Sequence, residues 1–375
     1  MNAPVPRTVS CSGEALVRMK AASSVPSEVL DSLRRRAAAL LEEPTLTVLG
    51  RKQRAASGNP HDYASQGPYW WPDPNTPDGL PYIRRDGETN PESVDPVTPG
   101  RMAQRAWTLA LAAWWFDDAR FAAGARDTLY DWHLNPETYM TPHARYGQAI
   151  PGVCDGRGIG LIDFSQSYQV FDAAGLLEAV GGMPPEELQA LRDWYVQFTD
   201  WMITSETGLS EDVHPNNHGS YFDLQVLSAA VFTGREWLAK KICQTAYARR
   251  FAAHVEPDGS QPLELARTKA MSYSLYNLLA LLRIAGIAGS LGYGEFWEAD
   301  PRLGVCLLRQ AGTFLLPYLE GDRPFPYQQI THERLHDSAA QVFALLGARF
   351  PEEPFAAASA RWQTPDMLWR AAPLM

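Results

Sequence analysis

The spacing of apolar residues constrains this chain more than any other feature. From residue 102 to 348 they recur every three or four positions, and no stretch alternates apolar with polar for more than a few residues. A repeat near 3.6 is the mark of a helix with one buried face, and a repeat of 2 that of a strand. The chain therefore reads as all-α. Helices are expected over 26–43, 102–116, 119–132, 167–180, 185–204, 219–232, 236–254, 271–291, 301–318 and 331–348, with a short one at 13–21. The 102–116 segment is apolar nearly all round, which predicts a buried helix. Ten or more helices in antiparallel pairs, with loops alternately short and long, suit an α/α toroid: an incomplete helical barrel with a cleft at the long-loop end. No fixed-period repeat favours an open solenoid. The expected organisation is an N-terminal segment, 1–44, whose first helix packs on the toroid, a toroid domain, 45–350, and a tail, 351–375.

Residues 50–99 break the pattern. They are dense in Pro, Gly, Asp and Asn, with Tyr63, Tyr69, Trp70, Trp71 and Tyr82 among them. So long a loop is functional or disordered, and its aromatics argue for order. It is expected to cover the cleft. Tyr69, Trp70 and Trp71 serve either as a structural plug or as a platform for sugar rings. The 12 Trp and 15 Tyr of the 375 residues suit a carbohydrate groove as well as a core.

Formal charge is −10, which argues against nucleic acid and requires a locally basic cleft if the substrate is a polyanion. Cys11, Cys154, Cys243 and Cys306 lack metal or redox spacing, and Cys243 and Cys306 fall on apolar faces as core thiols. The scattered His61, His143, His214 and His332 show no metal-ligand spacing. No metal or cofactor is expected. No run reads as long enough to cross a membrane, and no signal peptide is visible in 1–24. The 156–160 run Gly-Arg-Gly-Ile-Gly superficially resembles a dinucleotide loop but lacks a preceding strand.

Two polar clusters stand beside apolar helices. One is Asn216-Asn217-His218-Gly219-Ser220-Tyr221; the other is Glu264, Arg267 and Tyr273, with Tyr276 competing for the same role. Read blandly, Asn216 or Asn217 is an N-cap, Glu264 and Arg267 a surface ion pair, and Tyr273 a core ring. Together they suit proton abstraction beside a carboxylate. Arg and Asn tolerate the developing enediolate charge, His or ionised Tyr takes the proton, and Tyr protonates a leaving oxygen. Glu264 is placed to orient Arg267. On one continuous helix, Tyr273 would lie 240° from Arg267 and Tyr276 180°. The chain is therefore expected to break around 268–272, with Tyr273 at the next helix start, where positive potential favours a phenolate, and Tyr276 in the core. The substrate-binding set is Tyr69, Trp70, Trp71, Arg157 (pairing a substrate carboxylate), Gln166, Tyr221 and Glu264.

These residues resemble a known family. Ser57-Gly58-Asn59-Pro60-His61-Asp62-Tyr63, the 69–74 run, Pro81-Tyr82-Ile83 with Asp86-Gly87 and Asn90-Pro91-Glu92, Asn216-Asn217-His218-Gly219 and Glu264-Leu265 with Arg267-Thr268 together look like the alginate lyase domain family, over about 45–345. The resemblance implies an α/α toroid and metal-independent β-elimination on uronic acid polymers. Carried over from family 5 alginate lyases, Asn217 and Arg267 would neutralise the carboxylate. His218 would be base or base partner, and Tyr273 the acid, or both acid and base in syn elimination. The segment after Arg267 departs from the family 5 composition, which keeps Tyr276 in play. Alginate is the expected substrate, with glucuronan the alternative. A glycoside hydrolase with a carboxylate pair and a non-catalytic binder are the rivals; Asn217-His218 with Arg267 has no obvious task in hydrolysis. The resemblance implies a periplasmic or secreted protein whose partner is an anionic polysaccharide, not a membrane or nucleic acid. Oligomeric state is not legible.

Overall fold

The computed structural model describes residues 4–332 and 335–365. Its architecture is all-α, as the periodicity predicts: nearly all regular structure is helical, and the sheet consists of two pairs of very short strands. Contacts divide the chain into two units. The first is Met1–Val9, Leu33–Val213 and Ser228–Arg235; the second is Ser10–Ser32, His214–Leu227 and Glu236–Met375.

In the first unit, helix Pro99–Phe116 packs against Ala119–His133 and Tyr168–Val180. Thr98 starts it, its hydroxyl accepting from Arg101 N–H, with Pro99 in the first turn. It is buried on almost every side, Leu109, Ala110 and Ala112 completely. Even its buried Arg105 is satisfied, donating to Thr128 Oγ1 at 3.1 Å and to the carbonyl of Glu43 at 3.0 Å. The 50–99 region belongs to the first unit and contributes three short strands. Trp70–Trp71 pairs antiparallel with Ile83–Arg84, and Ala64–Gln66 pairs parallel with Tyr146–Ala149.

The glycines at 156–160 serve close backbone approach. A Cβ on Gly160 would lie 2.4 Å from the Gly147 carbonyl carbon, and one on Gly158 2.6 Å from the Thr207 oxygen. The run leads into a 3₁₀ segment, Gly158–Phe164, packed on helix Glu206–Asp212, so its resemblance to a nucleotide loop has a packing cause.

In the second unit, helix Ala270–Ser290 packs against Pro262–Leu265, Leu307–Leu319 and Leu335–Arg349. It is long and apolar enough to cross a membrane by composition, contrary to the sequence expectation, and 72% of that apolar window is buried inside the protein. The 351–375 segment, expected as a tail, carries helix Phe355–Trp362, packed on Leu335–Arg349 with Phe355 and Ala358 fully buried. The expected 236–254 helix is α only to Ala246; Tyr247–Phe251 is a π-turn and Ala252–His254 resumes the α-helix. Cys243 and Cys306 are buried, as expected.

Each unit holds a neutral buried histidine. His133 donates from Nδ1 to the Leu129 carbonyl at 2.9 Å and accepts at Nε2 from Tyr195 Oη at 3.2 Å. Burial lowers its pKa to about 4. His254 is likewise lowered to about 4, by burial first and then by the charge of Arg250. Depressed values in the folded state mean that the unfolded chain takes up these protons first. Stability should therefore fall as pH drops from about 6.5 towards 4, each group contributing up to about 1.4 kcal/mol per pH unit. Urea midpoints across this window test it: His133→Asn should flatten the decline, and an unchanged slope would remove His133 from the acid response.

Candidate active site

The site is built on the start of helix Asn217–Phe232. Asn216 caps it, its Oδ1 accepting from His218 N–H at 3.2 Å, so the bland reading of that residue holds. Asn217 does something different. Its backbone N–H reaches Glu264 Oε1 at 2.6 Å and its Nδ2 reaches Glu264 Oε2 at 2.8 Å. Both residues are only 1% exposed. One carboxylate thus satisfies a first-turn donor and fixes the Asn217 carboxamide. The sequence placed Glu264 as an orienter of Arg267 and a substrate contact; both of its oxygens are engaged by Asn217. Burial pushes the Glu264 carboxyl above its ordinary range, opposed by the Asn217 hydrogen bonds and the charges of Arg267 and His218.

Helix Pro262–Leu265 ends just before Arg267, and the next helix begins at Ala270. The break falls where the angular argument requires it. Across it the Arg267 guanidinium lies 3.8 Å from the centroid of the Tyr273 ring, a cation–π contact. Tyr273 sits in the first turn, its N–H bonded to the Lys269 carbonyl at 3.0 Å, and both side chains are half-buried. His218 is also half-buried, with the His214 ring 5.4 Å away. Tyr276 stacks on Tyr221 at 4.1 Å. Tyr221, expected to touch substrate, is 3% exposed and donates its hydroxyl to the Tyr276 carbonyl at 3.1 Å. With its hydroxyl on that carbonyl and its ring on the Tyr276 ring, it supports Tyr276.

Beneath this surface lie partners the sequence reading missed. Arg250, in the π-turn, grips Asp223 with Nε at 2.9 Å and Nη2 at 3.1 Å, and both are almost wholly buried. Its Nη1 reaches the His214 carbonyl at 3.3 Å. A Cβ on Gly219 would lie 2.2 Å from that carbonyl oxygen and 2.5 Å from Nη1, which is why glycine follows His218. Ser220 Oγ meets His254 Nδ1 at 3.0 Å. The helical 3–4 spacing from Ser220 to Asp223 was visible; the distant partners were not.

The remaining predicted residues belong to the first unit. Tyr69, Trp70 and Trp71 are half-buried. Trp71 Nε1 donates to the Glu88 carbonyl at 2.9 Å, and Asn90 Nδ2 holds the Trp70 carbonyl at 2.9 Å. Arg157 lies 5.8 Å from the Trp70 ring centroid. Its Nε and Nη2 donate to Gln148 O and Oε1 at 2.9 and 3.2 Å, and Gln148 Nε2 in turn reaches Asp163 Oδ1 at 3.1 Å. Gln148 has φ 49°, an uncommon conformation for a non-glycine residue. Gln166 is exposed, beside Gly100. Among the described residues no group of three or more His, Cys, Asp or Glu side chains is arranged to hold a metal.

A solved helical structure matches almost the whole chain: the crystal structure of an alginate lyase from Bacteroides ovatus, 35% identical, covering 96% of this chain and 97% of that one with a TM-score of 0.89. The all-α class expected of toroid-type lyases is the one observed, and the protein is a polysaccharide lyase. More particularly, residues 50–325 match the alginate lyase family, and the chain belongs to it. No curated protein sequence matches the chain.

The Glu264 clamp yields a direct expectation. Glu264→Ala strips two buried donors of Asn217 of their acceptor and should cost about 1–3 kcal/mol in urea unfolding. Lyase turnover should fall further than that loss explains. A variant with wild-type stability and turnover would refute the clamp.

Proposed function

We propose that the protein cleaves alginate by metal-independent β-elimination, with Asn217, His218, Arg267 and Tyr273 carrying the reaction. The observation that carries the reading is the cluster itself: a carboxamide fixed by Glu264 at one helix start, and a guanidinium, in the turn before another, set over the phenol ring of that helix's first turn. Family membership and the likeness to the Bacteroides ovatus alginate lyase support alginate as the substrate.

In this reading Arg267 and the second Nδ2 hydrogen of Asn217 bind the C5 carboxylate of a uronate unit. They lower the cost of the enediolate that forms when the C5 proton leaves. The proton passes to a base, the C4–O bond breaks, a C4=C5 double bond forms, and the leaving oxygen takes a proton from the Tyr273 hydroxyl. Mannuronate and guluronate are C5 epimers and present that proton on opposite faces. His218 serves as base when proton and leaving oxygen are anti; Tyr273 serves as both base and acid when they are syn. A cation against the phenol ring supports negative charge on Tyr273 between the two transfers.

The test is ultraviolet absorbance of unsaturated uronate ends, measured on mannuronate blocks, guluronate blocks, glucuronan and hyaluronan. Alginate blocks should give the signal, and EDTA should leave it unchanged. Turnover on glucuronan alone would transfer the activity to that polymer, and new reducing ends without absorbance would mean hydrolysis. Arg267→Ala should cost roughly 10²–10³-fold in kcat with the fold intact. Arg267→Lys should rescue it poorly, because a point charge cannot make the bidentate contact.

The two tyrosines are separable. Tyr273→Phe should abolish elimination with little change in melting temperature, while Tyr276→Phe should leave turnover largely intact. The reverse pattern would move the acid to Tyr276.

A further inference from the structure

The loop between Arg267 and Tyr273 has to hold a guanidinium on a ring across a chain break. The constraint comes from a segment fifty-odd residues later. Gln328 accepts from Ala270 N–H at 3.0 Å, and Ile330 N–H donates to the Thr268 carbonyl at 3.0 Å. Between them the Gln329 side chain reaches over the helix start. Its Oε1 accepts from Met271 N–H at 3.0 Å and from Ser272 N–H at 3.4 Å; its Nε2 donates to Ser272 Oγ at 2.8 Å and to the Thr331 carbonyl. Helix Ala270–Ser290 has no side-chain cap from the residue before it, Lys269. Gln329 supplies from a distance the acceptor that an N-cap residue ordinarily provides locally.

The strap is itself anchored. Phe314, Tyr318, Phe325 and Tyr327 form a run of ring contacts, with successive centroids 5.6, 5.4 and 5.3 Å apart. This run ties the strap to helix Leu307–Leu319. The strap residues 328–331 lie beyond the 50–325 stretch that matches the family.

We propose that Gln329 is a positioning residue for the reaction: by capping the helix that carries Tyr273 and pinning the Thr268–Ser272 turn, it sets the guanidinium of Arg267 against the phenol. The cap is a neutral amide, so it satisfies two N–H groups without adding a negative charge beside Arg267. This rests on the assignment of Arg267 and Tyr273 to the reaction.

The test measures kcat, KM and melting temperature for Gln329→Ala and Gln329→Glu beside Arg267→Ala and Tyr273→Phe. Gln329→Ala should lower kcat roughly 10- to 100-fold, the scale of a small misplacement of reacting groups, with KM within about twofold. Gln329→Glu keeps the acceptor for both N–H groups and should melt at or above the wild-type temperature. It should still lose kcat, because it cancels charge at Arg267 and loses the bond to the Thr331 carbonyl. If Gln329→Ala fails to fold, the Gln329→Glu variant decides alone. Wild-type kcat in the folded Gln329 variants, with Arg267→Ala and Tyr273→Phe inactive, would overturn the strap and leave the reaction intact. Activity in the Arg267 and Tyr273 variants would overturn the reaction first. Losses in Arg267→Ala, Gln329→Ala and Gln329→Glu that all appear in KM would show a binding role and overturn the positioning one.

Discussion

Everything at the candidate site depends on one buried carboxylate. Glu264 holds both the backbone and the side chain of Asn217, residues that lie 47 positions apart. Burying a charge is costly unless it is fully hydrogen-bonded, and here the positive end of a helix supplies the compensation. The same contact sets the distance between the start of helix Asn217–Phe232 and the turn that bears Arg267. If it is lost, His218 and Arg267 are no longer referred to a common frame.

A second buried ion pair, Arg250 with Asp223, fixes the other side of that helix start. It also shows how little the overall charge balance tells of this site. Arg250 is consumed internally, while Arg267 is half-buried with one face on an aromatic ring. Net charge therefore says little about this site, since individual cations are either spent in the core or presented on a ring.

Much of the architecture was legible because helical burial is periodic. Helices Ser27–Glu42, Ala119–His133 and Pro185–Thr204 begin and end within a residue or two of the expected positions. The break between Arg267 and Tyr273 followed from angular arithmetic alone. What escaped depends on distant partners. Nothing local to Glu264 announces Asn217, and an i, i+3 arginine pointed elsewhere. Tyr221 looked available because it adjoins polar residues, yet the Tyr276 carbonyl and ring claim both its ends. Helix Leu307–Leu319 starts six residues later than expected, since Pro301 resembles a helix start. Helix Phe355–Trp362 is short and small-residue-rich, so its apolar signal is weak; it forms by packing on Leu335–Arg349. The apolar run of Ala270–Ser290 fits a central core helix and a membrane span alike, because the two share composition.

The π-turn at Tyr247–Phe251 makes this part of the chain sensitive to length rather than to composition. A π-turn carries one residue more than an α-helix would place in the same rise. Deleting that residue would let the turn close to a regular α-helix with the flanking turns near their present register, but the widened turn that carries Arg250 to Asp223 would be lost. Relatives that keep this ion pair are therefore expected to keep the extra residue between Glu236 and His254 even where they change its kind. A one-residue gap there in an otherwise similar chain marks a protein whose first turn at Asn217 is supported in some other way.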